Sequence, residues 1–557
     1  MVNRELRSLL EIEASGLAQT HAHRAGIYPN LSETVVECAQ RRARRCLWMS
    51  PAEPRKRMSL SITSSVSSRS SVRGLVPLCA AVGAYLFYLS AGEILLRDSD
   101  TEWQIKVGQW ILEHGAMPTS DVFSFTRFGE PWISSSWLSQ VAYALVYGGD
   151  WAGPVILTSI AIGATVGILL HLLNSYFDPA RAILIAALAL LLSTIHFFAR
   201  PHVLALPVLL AFIGGLMAAA DRRTYPSWWL LPLMALWANL HGGFVLGLAL
   251  IGPIGLEAVW SAEPSRRREL IVRWELFGIA ALAASCVTPY GWNSLLGATK
   301  ILSLGKLLTL IGEWMPADFS KPSFFEATLL GLIGLICYRG LTLSVPRILL
   351  LLGLVWMALS HIRNIEVFAF IAPLVLAKPI SEQWGMAAVT AARFEVRRSL
   401  PVVTILAAVA MVIGAWMTTT MFVAQHQFKF LPVFWPAAAV DVLQQHKAQR
   451  VFNTAPFGGY LVSRDIKVFI DGRAELYGEQ FVLDYYAALD ARDAGQLLDL
   501  LDKYRIDATL LSSDSPAGNA LDHLKGWKRL YKDDVAVIHV RSDETRAGAM
   551  PAATGSN

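Results

Sequence analysis

The chain has 557 residues, 54% hydrophobic and only 16% charged, with a formal net charge of +5. Soluble globular domains carry about 25% charged residues, so this composition excludes an ordinary multidomain soluble enzyme, and its apolar bias excludes a disordered chain. A mean hydropathy of +0.44 leaves a multi-span membrane protein, provided the apolar residues come in blocks of about 20.

Residues 1–73 hold twelve Arg or Lys and six Glu, including the run RRARR at 41–45 and a serine-rich stretch at 59–71. They read as a disordered cytoplasmic leader, too long and too polar for a cleaved signal peptide. The expectation is an overextended start, with Met58 as the true first residue. No nucleic-acid partner is expected for RRARR beside a membrane anchor; anionic lipid heads suit it better.

Apolar blocks follow at 74–96, 152–172, 180–199, 203–220, 227–240, 243–260, 273–289, 322–338, 344–360, 365–378 and 401–423. They lack the alternation of a membrane barrel, so the predicted fold is mainly α, a polytopic helical membrane domain over 74–423 with about eleven spans. The runs 227–240 and 365–378 are short for a span. Basic clusters stay in the cytoplasm. With eleven spans the leader, Arg222-Arg223, Arg266–Arg268 with Arg273, Arg339 with Arg347, and Arg393 with Arg397-Arg398 all fall inside. The N-terminus is then inside. The loop 97–137 is outside, with six Asp or Glu against three Arg or Lys. Residues 137–148 read as a helix lying at the outer interface. No disulfide or metal spacing links Cys38, Cys46, Cys79, Cys286 and Cys337.

Charge returns after residue 430. A helix is predicted over 434–446, strands at VFNTA (451–455), KVFID (467–471), DATLLS (507–512) and VAVIHV (535–540), and helices over 492–503 and 516–524. This order predicts a small α/β domain over 430–541 on the outer, extracytoplasmic face, with a polar, disordered tail at 542–557.

The predicted topology collects polar residues at the outer helix ends. Asp98 and Asp100 follow the first span, Arg200 and His202 lie in ARPHV, and Asn239 and His241 in WANLHGGF. Glu313 lies in GEWMP, and His361 and Arg363 in HIRN. Ionisable groups at membrane depth are costly, so they are paired or functional. Asp98 and Asp100 fit a general base toward a hydroxyl, or ligands of a divalent cation, against the simpler role of ending the span. Arg200, His202, Arg363 and His361 fit a phosphate-binding set, against salt bridges to Asp98, Asp100 or Glu313. Trp103, Trp132 and Trp137 suit an interfacial belt or a surface on which a sugar stacks. His241 and Asn239 serve either a site or the capping of short helices. Glu313 is either solvated or part of the cluster. Asn453, Asp471 and Arg473 in the last domain are acceptor-binding candidates, though Asp471-Gly472 is also ordinary turn chemistry.

The stretch D-x-D-x-x-W at 98–103, continuing GQWILEHGAMPTSDVFSFTRFGEPWISSSWL, resembles the first outer loop of the GT-C glycosyltransferases. WANLHGGF, TPYG, EWMP, FNTAPFGGYL and KVFIDGRAELYG resemble the motifs of an uncharacterised bacterial branch of that class. The resemblance covers 74–541. It implies a carboxylate of the first outer loop as catalytic base, matched here by Asp98 or Asp100. It also implies helices lying on the membrane, matched by 101–114 and 137–148. The family commonly has His or Glu beside the second aspartate cluster, whereas here Gln104 follows Trp103, so the resemblance carries no base role to position 104. Some members of the class use a divalent cation, Mg or Mn, and others do not; Asp98 and Asp100 are the ligand candidates.

The implied activity is transfer of a sugar from a polyprenyl-phosphate donor to an extracytoplasmic acceptor (glycan, lipid or protein) by inverting displacement. The implied location is a bacterial inner membrane, in contact with membrane lipids. The alternatives are a transporter or flippase of lipid-linked sugars and a non-catalytic assembly protein for envelope polysaccharide.

Overall fold

The structure, a computed structural model, describes residues 63–300, 304, 305, 308, 311–386, 402–431 and 435–542. The leader expected over 1–73 lies almost wholly outside these residues. Met58, the cluster Arg393 with Arg397-Arg398, and the tail beyond 542 also lie outside them.

The chain is mainly helical. The apolar half begins with α1 (Thr63–Ser90), then α2 (Asp100–His114) and α3 (Trp137–Tyr147). Next come α4 (Ala152–Leu173), α5 (Pro179–Ser193), α6 (Pro201–Asp221), α7 (Leu230–Leu240) and α8 (Phe244–Trp260). It continues with α9 (Pro264–Ser285), α10 (Asn293–Lys300), α11 (Phe324–Arg339), α12 (Val345–Ser360), α13 (Asn364–Gln383) and α14 (Val402–Gln425). Among the described residues, five helical segments are long and apolar enough to cross a membrane: α4, α6, α13, α14, and α5 with its continuation to His196. Shorter apolar helices include Leu230–Leu240, Phe244–Trp260 and Val345–Ser360. This apolar set is consistent with a membrane protein.

Helix limits follow local chemistry. Asp178 caps α5, accepting from the Arg181 N–H, with Pro179 at the first helical position. Ser344 caps α12 in the same way. The predicted first span does not run unbroken to 96. α1 stops at Ser90, and Gly92–Leu96 forms a 3-10 turn. Gly92 there lies against the Phe428 ring and Val155, where no side chain would fit.

The C-terminal region carries α15 (Ala437–His446), α16 (Gly458–Ser463), α17 (Ala474–Tyr477), α18 (Glu479–Asp490), α19 (Ala494–Lys503) and α20 (Pro516–Leu521). Its strands are β1 (Val451–Asn453), β2 (Ala508–Ser512), β3 (Trp527–Lys532) and β4 (Ala536–Arg541), in the order β1-β2-β4-β3. β1 and β2 are parallel, and β4 is antiparallel to both of its neighbours.

KVFID is not a strand of this sheet. It runs extended beside the loop after α2, with Val468 bridged to Ser124 and Phe125 N–H donating to the Val468 carbonyl at 3.1 Å. The fourth strand is WKRLYK, an edge strand whose Lys528, Arg529 and Lys532 weaken the apolar pattern.

The loop after α1 packs with this sheet region. One core joins Trp103, Val107 and Ile111 of α2, and Trp132, to Phe452, Phe469, Leu510 and Ile538. The helices form a separate core around Leu169, Phe212, Trp237, Phe277 and Phe370. α2 crosses α3 at Gly108, which lies on the Gln140 backbone with no space for a Cβ. The α2–α3 pair therefore sits between the two cores.

Candidate active site

Arg200 precedes Pro201, and a proline pushes the residue before it out of helical geometry. Arg200 is accordingly extended, at φ −129° and ψ 156°, and its side chain stands at the mouth of α6. The Ala199 N–H donates to the Leu95 carbonyl at 2.8 Å, which draws this mouth against the turn leading to Asp98. Tyr143 of α3 donates to the Arg200 carbonyl at 3.3 Å. A third segment arrives by backbone pairing. Arg363 N–H donates to the Glu313 carbonyl at 3.1 Å, and Ile362 N–H to Met315 at 2.9 Å.

The result is three carboxylates on one guanidinium. Arg200 Nη1 lies 3.1 Å from Asp98 Oδ2 and 2.5 Å from Glu313 Oε1, and Nη2 bonds Asp100 Oδ2. The Asp100 N–H donates to Asp98 Oδ1 at 2.7 Å, so the two aspartates form one turn. Arg363 is less engaged. Its Nη1 is 3.9 Å from Glu313 Oε2, and its guanidinium lies 4.5 Å above the Trp314 ring. His361 Nδ1 donates to the Trp314 carbonyl at 2.8 Å, and its ring packs edge-on against the Trp314 ring with centroids 5.2 Å apart.

The histidines line the same end of the helices. His202 donates to the His196 carbonyl at 2.8 Å, and the His202 and His241 rings are 6.2 Å apart. His241 is extended between α7 and α8, and its Nδ1 accepts from the Gly243 N–H at 3.1 Å. Asn239 receives a bond from Trp137 Nε1 at 2.7 Å and donates to the carbonyls of Ala235 and Val287. It ties α3 to α7.

The sheet region forms the remaining wall. Gly472 lies against the Asp100 carboxylate and Gly459 against the Ser99 carbonyl, each without space for a side chain. Close approach is what glycine permits at both positions. Asp471 and Arg473 flank Gly472 but turn inward. Arg473, 1% exposed, donates to Asp471 and reaches Asp121 Oδ1 at 2.6 Å. Asn453 is also buried, bonded to the backbone of Phe469 and Ile470. These three position the wall and clamp it to the loop after α2.

Trp132 is buried beneath the Arg473 guanidinium, at 4.8 Å, and donates to Glu475 at 3.2 Å. Trp103 lies in the shared core. Neither ring presents an open face in this arrangement.

Charge balance tunes the carboxyls. Burial pushes Asp98 up to about 6; Arg200 opposes this and Asp100 reinforces it. The Arg200 charge holds Glu313 well below the usual range, at about 2. Glu102, in the first turn of α2, does not stand out in the sequence. It is buried, and burial alone raises it to about 8. A charged residue two positions past D-x-D gave no sign that it faces the core.

Carboxylate oxygens suit Mg or Mn. Here the Arg200 guanidinium occupies the position between them that a cation would take. Among the described residues no group of three or more His, Cys, Asp or Glu is placed to hold a metal. The arrangement does not fit a resident cation.

No family model matches the chain, and no curated protein matches it. Solved structures of archaeal oligosaccharyltransferases are similar to it. The Archaeoglobus fulgidus oligosaccharyltransferase tethered to an acceptor peptide is 12% identical, with a TM-score of 0.47, over 80% of this chain and 70% of that chain. The same organism's AglB with an inhibitory peptide and a dolichol-phosphate is 10% identical, with a TM-score of 0.45, over 87% and 75%. The apo oligosaccharyltransferase is 11% identical, with a TM-score of 0.44, over 80% and 69%.

Proposed function

We propose that the chain is a membrane glycosyltransferase that moves a sugar from a polyprenyl-phosphate donor to an acceptor hydroxyl. The observation that carries this reading is the cluster of Asp98, Asp100 and Glu313 on Arg200, at the helix mouths and beneath the sheet region. An oriented carboxylate with a raised value of about 6 is ionised at neutral pH yet basic enough to take a proton.

In this mechanism Asp98 accepts the acceptor's hydroxyl proton. The oxygen attacks the anomeric carbon, whose bond to the phosphate oxygen breaks with its electron pair leaving on the lipid phosphate. The configuration inverts. A phosphate is a good leaving group, so no separate strong acid is needed. Arg363, flat on Trp314 and only loosely paired, is the better phosphate ligand. Arg200 orients the carboxylates and shifts toward the phosphate as the donor enters. His202, His361 and His241 line the same mouth. The proposed setting is a bacterial inner membrane, with this mouth on the extracytoplasmic side.

The spacing of the charged clusters supports a membrane placement. α6 carries Arg200 at its start and Asp221 at its end. Twenty-one steps of about 1.5 Å place them about 31 Å apart, close to the thickness of a bilayer's hydrocarbon core.

The experiment is sugar transfer from polyprenyl-phosphate sugars, assayed in membranes holding the full chain, its Asp98→Asn variant and its Asp100→Asn variant. Loss of transfer in a stably inserted variant supports the reading. Unchanged transfer in both variants removes it.

A further inference from the structure

A cavity lies in the sheet region, lined by residues other than those of the aspartate cluster. It is an open cleft of about 450 Å3 at the carboxyl ends of the parallel strands β1 and β2. Open α/β sheets characteristically bind ligands at that edge. Its floor is Thr454 and Ser512, and its walls are Tyr486, Leu489, Asp490 and Asp514.

The floor is rigid. Thr454 N–H donates to the Leu510 carbonyl at 3.0 Å, and Ser512 N–H to Thr454 Oγ1 at 3.0 Å. Tyr485 anchors the segment after β1, accepting from Ala455 N–H at 2.8 Å and donating to the Asn453 carbonyl at 3.2 Å. Tyr486, Leu489 and Asp490 are spaced i, i+3, i+4 on α18 and share one face. That face offers the pocket an aromatic ring, an apolar patch and a carboxylate side by side. Tyr486 is 36% exposed although Tyr485 beside it is fully buried.

The donor inventory selects the ligand class. Two carboxylates accept hydrogen bonds, and the threonine and serine hydroxyls donate or accept. No Lys, Arg or His lines the cavity among the described residues, so nothing there would hold a phosphate or another anion. An uncharged ligand with many hydroxyls and an apolar ring face matches both the carboxylates and the tyrosine.

The cavity is also close to the aspartates. Thr454 and Gly459 are five residues apart, at most about 18 Å, and Gly459 touches the Ser99 backbone. We propose that this cavity is a subsite for a neutral oligosaccharide acceptor, held by Tyr486, Asp490 and Asp514 while its end reaches Asp98. This deepens the glycosyltransferase reading and rests on it for the acceptor role.

The test is binding of cellotetraose, chitotetraose and α-1,6-mannotetraose to the full chain in detergent, by saturation-transfer NMR and calorimetry. At least one should bind. Tyr486→Ala should weaken it about tenfold by removing the ring, and Tyr486→Trp should preserve it. Asp514→Asn should weaken it about fivefold. Asp98→Asn should bind like the unaltered chain, which separates this proposal from the transfer reading. Absence of binding by all three saccharides overturns the proposal. So does binding that survives Tyr486→Ala.

Discussion

α6 is flanked by two arginine-centred clusters that look alike and behave differently. At its end, Asp221 bonds Arg347, which also donates to Glu257 Oε1 at 2.8 Å and to the Val375 carbonyl at 2.9 Å. Lys378 bonds the Asp221 carbonyl, and Ser344 bonds Glu257. Two carboxylates meet two cations, all on helices or their caps, and Arg347 and both carboxylates are nearly sealed from solvent. At its start, three carboxylates meet Arg200 and the more distant Arg363. Two of the three stand on loops, and Glu313 is 36% exposed. The balanced, closed cluster is a clamp between α6, α8, α12 and α13. The unbalanced one has an anionic excess and keeps Glu313 and Arg363 part-exposed, features that the proposed base would use and a clamp avoids.

The largest expected effect separates the two roles. Asp98→Asn should lower sugar transfer by about 10²- to 10⁴-fold while leaving the melting temperature close to that of the unaltered chain. Arg347→Met should do the reverse. Stranding Asp221 and Glu257 without their cation should cost about 3–5 kcal/mol, read as a fall in melting temperature, with transfer per folded molecule retained. A normal melting curve for Arg347→Met would erase the contrast.

Next is Arg363→Ala, expected to raise the donor KM about tenfold with a smaller change in kcat, as loss of one charge-assisted phosphate contact predicts. The pH profile sharpens the same point. Asp98 is raised to about 6, so below that pH the base is protonated and kcat/KM should fall about tenfold per unit, with a plateau above it. A limb near 4 instead would show a carboxyl not raised by burial. The smallest expected effect is Trp137→Phe. Losing its bond to Asn239 should cost about 1 kcal/mol of stability and little transfer.

Much of this was legible in the sequence, for physical reasons that can be named. Apolar blocks such as 152–172 and 203–220 fall on α4 and α6 because length and hydropathy alone specify such helices. A helix expected at 137–148 is present as α3. Arg200, Glu313 and the two aspartates were readable as a set because charged residues stand out in apolar surroundings. Salt bridges among them are the simpler of the two pairings that the sequence allows.

What the sequence hid was contact across distance. Arg347 looked like a topology marker, since nothing local shows that Asp221 and Glu257 turn toward it. KVFID looked like a strand because an extended segment buried against a loop has the same apolar pattern. WKRLYK did not, because its edge position tolerates charge. The joint core of Trp103 and Trp132 with the sheet region rests on pairing between residues more than 300 positions apart. α18 and its Tyr486 cavity depend on that packing as well.

The most direct measurement is paired. Transfer from polyprenyl-phosphate sugars and thermal stability are followed together for Asp98→Asn and Asp221→Asn in membranes holding the full chain. The account predicts that Asp98→Asn abolishes transfer and stays folded, whereas Asp221→Asn loses stability and keeps transfer in the folded fraction. Full transfer by Asp98→Asn, with a stable protein, would contradict it.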